Sequence, residues 1–217
     1  SLYNIYCLQD VNRIAPFYNI DFQAHEYPAK ELVEKANSIL TAAKSDDLIE
    51  IANKVSSALW EGDIGTLDKL SSTYFATKAE VKENLIQGNK IRDAKGYYFG
   101  SAFYYEKELY WGVDRLPHLE ERLADLGAKK VHETQNICPL ELKAPKQFTS
   151  DKKVNLYYYP SLNSPYTFVS TKRVRQMRED YPVNLITKPV LPMLMRMMTI
   201  PGFKAKYIIS DAAREGR

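Results

Sequence analysis

Apolar residues recur at helical spacing through the early part of the chain and at strand spacing in two later stretches. That change of period sets the expected order of elements. Leu32, Val33, Ala36, Ile39 and Leu40 share one helical face, and Leu48, Ile49, Ile51, Ala52, Val55 and Leu59 share another. The spacing predicts helices across residues 29–59, with Asp46 and Asp47 positioned to cap the second. Residues 6–13 carry a shorter helical pattern. Two more short helices are expected at 66–72 and 77–87, the apolar positions of 79–86 forming a core face. Residues 103–105 and 109–111 read as two strands about a tight Glu-Lys-Glu turn, a hairpin. A helix from about Leu116 to Leu126 follows, with Gly127 as its C-terminal cap. Residues 128–153 lack periodicity and read as a linker. Residues 154–159 suit a buried strand, 165–179 a helix, and 183–188 a second strand.

The junction inside this last segment is the chemically suggestive one. The aromatic run breaks at Pro160, passes through a polar loop and restarts at Ser164-Pro165, which predicts Ser164 as helix cap and Pro165 in the first turn. A strand-loop-helix junction directs backbone N–H groups and a hydroxyl at whatever binds there, so an anion or thiolate is the natural ligand. A capped helix with no ligand fits the same spacing.

Composition narrows the classes. The 217 residues are 45% hydrophobic and 26% charged, ordinary for a globular protein, and the net charge of +3 is too small to argue for nucleic acid. Charge is uneven: residues 151–217 hold 12 basic and 5 acidic side chains, residues 1–150 hold 18 and 22. A basic helix face around Lys172, Arg173, Arg175 and Arg178 accounts for much of this. Cys7 and Cys138 form no Cys-x-x-Cys pair, which argues against redox exchange, and His25, His118 and His132 lack ligand spacing, so no metal is expected. The most apolar segment, 190–198, contains Arg196 and is too short to span a bilayer, so no membrane role is expected. Without a basic-then-apolar leader or a disulfide framework, the expected compartment is the cytoplasm. The chain opens at Ser1, as a piece of a longer protein would.

Ser164-Pro165-Tyr166-Thr167-Phe168 after an aromatic strand resembles the opening of the 2-hydroxychromene-2-carboxylate isomerases and kappa-class glutathione transferases, the DsbA-like branch of the thioredoxin fold. Trp60-Glu61-Gly62-Asp63-Ile64 resembles, in compressed form, a turn of that family's helical insertion. Glu108 to Leu116 is similar to its Glu-Leu-Phe-Trp-Gly-Gln-Asp-Arg-Leu, and Lys188-Pro189-Val190-Leu191 to its Arg-Pro-Val-Leu-Leu. Three positions depart. Ser161 stands at the family's acidic position, Ser101 at its cis-proline, and the region of Thr199 and Ile200 lacks its Gly-Asn pair.

The resemblance implies an α/β fold, a thioredoxin-like mixed sheet with a helical insertion, but with the pieces in rotated order. Residues 1–127 match the insertion, hairpin and last helix of a first copy. Residues 154–217 match the opening strand-helix-strand of a second. Tyr6 to Arg13 and Tyr207 to Arg214 share Tyr, Asp and Arg at the same spacing, which fits tandem copies, with circular permutation as the runner-up. Each piece has an unpaired strand edge, so one composite sheet is expected, within the chain or across two chains as a homodimer or domain swap.

The same resemblance implies glutathione as cofactor and a small-molecule electrophile as substrate. Ser164 would hold the thiolate, Ser101 and Ala102 would meet the cysteinyl backbone, Asp114 would take the glutamyl end, and Arg115 and Tyr166 would complete the ligand site. A hydrogen bond to a charged group is worth about 1.5–3 kcal/mol, enough to lower a thiol pKa by roughly one to two units. Loss of the proline at Ser101 predicts a trans bond and a reshaped loop, since cis without proline costs about 2.5–4 kcal/mol. Two readings therefore stand: a glutathione-dependent isomerase or transferase, and a noncatalytic thioredoxin-fold binding or dimerisation module. The family-free reading of Asp114-Arg115 is a surface ion pair at a helix start, and that of the tyrosine-rich stretches is core and strand surface rather than an aromatic pocket.

Overall fold

The periodicity of the early chain becomes a set of helices, and their apolar faces meet. In the computed structural model, which describes residues 2–97, 100–130, 135–138, 152–192, 195, 197, 199–200 and 202–217, α1 spans Leu2–Ile14 and is followed by a 3-10 turn at Ala15–Tyr18. Helices α2 (Lys30–Ala42), α3 (Leu48–Glu61) and α4 (Ile64–Thr73) pack Ala36, Ile39, Ile51, Val55, Ala58 and Leu67 into one core. The chain is mixed α/β, and its contacts divide it into two units, residues 1–91 and 92–217.

The joint between α3 and α4 shows how local chemistry sets the first unit. Gly62 ends α3 at φ +71°, a left-handed conformation that costs glycine nothing, and the Asp63 N–H donates back to Ala58 O at 2.9 Å. Asp63 then opens α4, its carboxylate accepting from the Thr66 N–H at 3.0 Å and the Thr66 hydroxyl at 2.6 Å. These bonds hold the Asp63 carboxyl below its usual range. Thr77 and Glu80 form a reciprocal capping box at the start of α5 (Lys78–Ala94). Two expectations fail here. Asp47 occupies the N-cap of α3 without a capping bond, because its backbone is already in the right-handed helical region. The apolar face expected at 79–86 is not core. Leu85 is 50% exposed and α5 buries no residue, since the core on α2 is already filled by α3 and α4.

In the second unit β1 (Ala102–Tyr105) and β2 (Glu108–Trp111) form an antiparallel hairpin, with Phe103 opposite Tyr110 and Tyr104 opposite Leu109. Its turn residues Glu106 and Lys107 both have positive φ, +43° and +71°. Two-residue turns of this kind ordinarily carry Asn-Gly, and L-residues there cost about 1–2 kcal/mol each. A short 3-10 turn (Val113–Arg115) leads into α6 (Leu116–Asp125), and Gly127 closes that helix at φ +72°. The strand β3 (Val154–Tyr158), helix α7 (Pro165–Asp180) and strand β4 (Val183–Thr187) make a parallel β-α-β unit, and α8 (Gly202–Glu215) ends it. Residues 131–134 and 139–151 of the expected linker, His132, and part of the apolar 190–198 segment lie outside the described residues.

Within the chain, the expected composite sheet is corrected. The described strands form two separate two-stranded ladders, β1-β2 and β3-β4. The Gly112 N–H bonds Ser101 O, so alternate residues Tyr110 and Gly112 face β1, while Leu109 and Trp111 present their backbone groups on the outer edge. That edge is taken by side chains of α8: Arg214 donates to Leu109 O at 3.2 Å, and the Trp111 N–H donates to the Tyr207 hydroxyl at 3.2 Å. The Leu109 carbonyl and the Trp111 N–H on that edge are thus already taken. In the same way β3, expected to be buried, has only exposed and half-buried residues, because a two-stranded ladder covers little of itself.

Leu67 has no exposed surface and sits where α2, α3 and α4 meet. Leu67→Ala is expected to destabilise the chain by about 2–5 kcal/mol in urea denaturation followed by helical circular dichroism.

Candidate functional site

Helix α8 carries Asp211 among small and apolar neighbours, and folding brings four cationic or phenolic side chains onto that one carboxylate. Asp211 is 1% exposed. The Arg115 guanidinium grips it in a fork: Nε lies 2.9 Å from Oδ1 and Nη2 lies 3.0 Å from Oδ2. The Tyr166 hydroxyl of α7 donates to Oδ2 at 2.8 Å. From α8 itself, one turn either side, the Tyr207 hydroxyl donates at 3.2 Å and Arg214 Nη1 at 3.1 Å. Tyr207 thus relays a backbone N–H of β2 to the carboxylate.

Electrostatics follow from this geometry. Burial raises the Asp211 pKa, but hydrogen bonds from Arg115 and Tyr166 and the charges of Arg115 and Arg214 outweigh it, and the carboxyl stays below its ordinary value. Burial and then the Asp211 bond push the Tyr166 phenol upward, and burial followed by the Asp211 charge raises Tyr207 to about 12. Both phenols are hydrogen-bond donors at neutral pH rather than acids or bases. Around this centre, Arg115 Nη1 pairs with Asp114 Oδ2 at 2.7 Å, and His118 Nε2 lies 2.7 Å from Glu215 Oε1. Tyr97 packs edge-on against Tyr207 at 5.4 Å, and the Arg214 guanidinium lies 4.1 Å above the Tyr110 ring.

No family model, curated protein or solved structure matches the chain.

Of the six residues singled out from sequence, three converge. Tyr166 and Arg115 meet on Asp211, and Asp114 joins through Arg115. Asp114 remains exposed, so its position is that of the surface ion pair weighed above. Ser101 sits at φ +55° at the foot of the hairpin, its carbonyl accepting from the Gly112 N–H at 3.1 Å, and Ala102 opens β1 opposite Trp111. Ser164 is the N-cap of α7, in extended backbone with Pro165 following, but its hydroxyl makes no capping bond. The expected position holds, and the expected side-chain capping bond does not form. The neighbouring loop is closed by Thr167 Oγ1, which accepts from the Ser161 N–H at 3.3 Å, and by the Ser164 N–H bonding Ser161 O at 2.9 Å. Among the described residues no hydrogen bond joins Ser164 to Ser101 or Ala102.

Sequence reasoning missed Asp211 as a centre. The signal was present: Tyr207, Asp211 and Arg214 lie one turn apart on a helix, and an acid beside two alanines in an apolar run marks a carboxylate that is buried with partners. Their counterparts Tyr6, Asp10 and Arg13 on α1 have no such burial. The described residues contain no group of three metal-ligating side chains and no helix long and apolar enough to cross a membrane.

Removing the charge tests the centre. Because the folded Asp211 pKa lies below its unfolded value of about 3.9, the carboxylate's stabilisation is complete above that value and is lost as pH falls through the lower folded one. Asp211→Asn is expected to cost about 3–5 kcal/mol at pH 7, because the forked bond of Arg115 loses its buried charge partner and only the exposed Asp114 and the more distant Glu215 remain. It is also expected to flatten the acid limb of a plot of stability against pH, measured by urea denaturation across pH 3–7.

Proposed function

We propose that the second unit is a rearranged thioredoxin-like module that binds glutathione, with Ser164 as the residue that holds the thiolate. The observation that carries this reading is the Ser164 hydroxyl. It stands at the start of α7, where the helix dipole favours an anion, and it is not spent on capping the helix. A thiolate there would accept from the hydroxyl and from the first N–H groups of α7, and stabilising it lowers the thiol pKa toward neutrality. The thiolate would then add reversibly to an electrophilic small molecule, as a glutathione-dependent isomerase or transferase requires. The shared placement of Tyr166, Arg115 and Asp114 in one unit supports the reading, since the resemblance named all three.

A second reading is favoured by one specific observation. Arg115 and Tyr166 direct their donors at Asp211 and not at open space, and the Ser101 carbonyl is committed to the Gly112 N–H of the hairpin. A noncatalytic binding or dimerisation module needs only this rigid frame.

Titration calorimetry of the full chain with glutathione separates the two. The catalytic reading expects saturable binding, a bound thiol pKa lowered by about one unit or more as followed by thiolate absorbance, and loss of that lowering in Ser164→Ala. Binding without a shifted thiol, equal in Ser164→Ala, supports the noncatalytic module. Absence of binding removes glutathione from both.

A further inference from the structure

Beside the Asp211 centre, between the hairpin and α8, five basic residues of the second unit line a cleft of about 580 Å³. This volume is in the range of small-molecule sites. Lys95 after α5, Lys107 at the hairpin turn, and Lys206, Arg214 and Arg217 of the α8 segment line it, against a single carboxylate, Glu108. Glu108 already accepts from the Tyr110 hydroxyl at 2.7 Å and lies 3.7 Å from Arg214, while Arg214 is matched by Asp211. Lys95, Lys107 and Lys206 have no carboxylate within ion-pair distance among the described residues. A lining with five basic residues and one carboxylate gives the cleft a net positive charge, which favours an anionic ligand. Leu109, Phe203 and Tyr207 supply an apolar wall.

The backbone points the same way. Lys107 holds a positive φ of +71° in a turn position where glycine is the unstrained choice. The chain keeps a lysine there, and its side chain lines the cleft. Lys95 is likewise held, its Nζ 4.4 Å above the Tyr104 ring.

We propose that this cleft is a binding site for a small phosphate ester, the phosphate held by Lys95, Lys107 and Lys206 and the organic part resting on Phe203 and Leu109. Lysine suits this role as a compact point charge. The site is separate from Ser164 and stands whether or not glutathione binds.

Titration of the full chain with phenyl phosphate, and with inorganic phosphate for comparison, tests it. Saturable binding that is tighter for phenyl phosphate is expected, weakened about tenfold or more in Lys107→Gln/Lys206→Gln. Lys107→Gly is the sharper variant: relieving the turn is expected to raise the thermal midpoint while weakening binding, a pairing that misfolding cannot produce. Lys172→Gln/Arg173→Gln, on the exposed face of α7, is expected to leave affinity unchanged. No saturable binding, no preference for phenyl phosphate over inorganic phosphate, no loss in the cleft variants, or an equal loss in the α7 variant would each overturn the proposal.

Discussion

The second unit depends on one buried carboxylate. Asp211 draws Arg115 from the turn before α6, Tyr166 from α7, and Tyr207 and Arg214 from its own helix. Taking a carboxylate out of water is costly, and only a full set of charged and neutral donors offsets that cost. Satisfaction of this one group therefore fixes where three separate elements stand. The ladders β1-β2 and β3-β4 contribute no hydrogen bonds to each other, so side-chain chemistry does the joining that backbone pairing does in a continuous sheet.

Much of the secondary structure was legible because it is local. Periodicity located the helices, Gly127 marked a helix end through its left-handed backbone, and the two aromatic runs about the Glu-Lys-Glu turn located the hairpin. What the pattern could not carry was the use of each surface. The stripe on α5 has the period of a core face, but the space against α2 is filled by α3 and α4, and no local rule reports that. The two ladders offered free edges, and from sequence alone an edge looks like an invitation to another strand. That an arginine and a tyrosine one helix away would take the Leu109 carbonyl and the Trp111 N–H of β2 is a long-range fact.

The candidate site shows the same division. Tyr166, Arg115 and Asp114 were singled out through a resemblance, and they do gather in one unit. Their meeting point, Asp211, was visible only as part of a motif shared with α1, and there the matching Asp10 lacks a comparable set of partners. Identical spacing thus yields a buried centre in one helix and a solvated face in the other. The difference lies in what each helix has to pack against.

The sealing of β2 by α8 has a consequence for the molecule's behaviour in concentrated solution. Arg214 and Tyr207 occupy the carbonyl and amide that a foreign strand would otherwise seize. Phe103, Tyr104 and Trp111 of the hairpin are exposed with α8 in place, so the helix covers backbone groups of β2 rather than those rings. By occupying those two groups α8 blunts the β2 edge, and the bonds of Asp211 to Arg115 and Tyr166 keep the helix in that place.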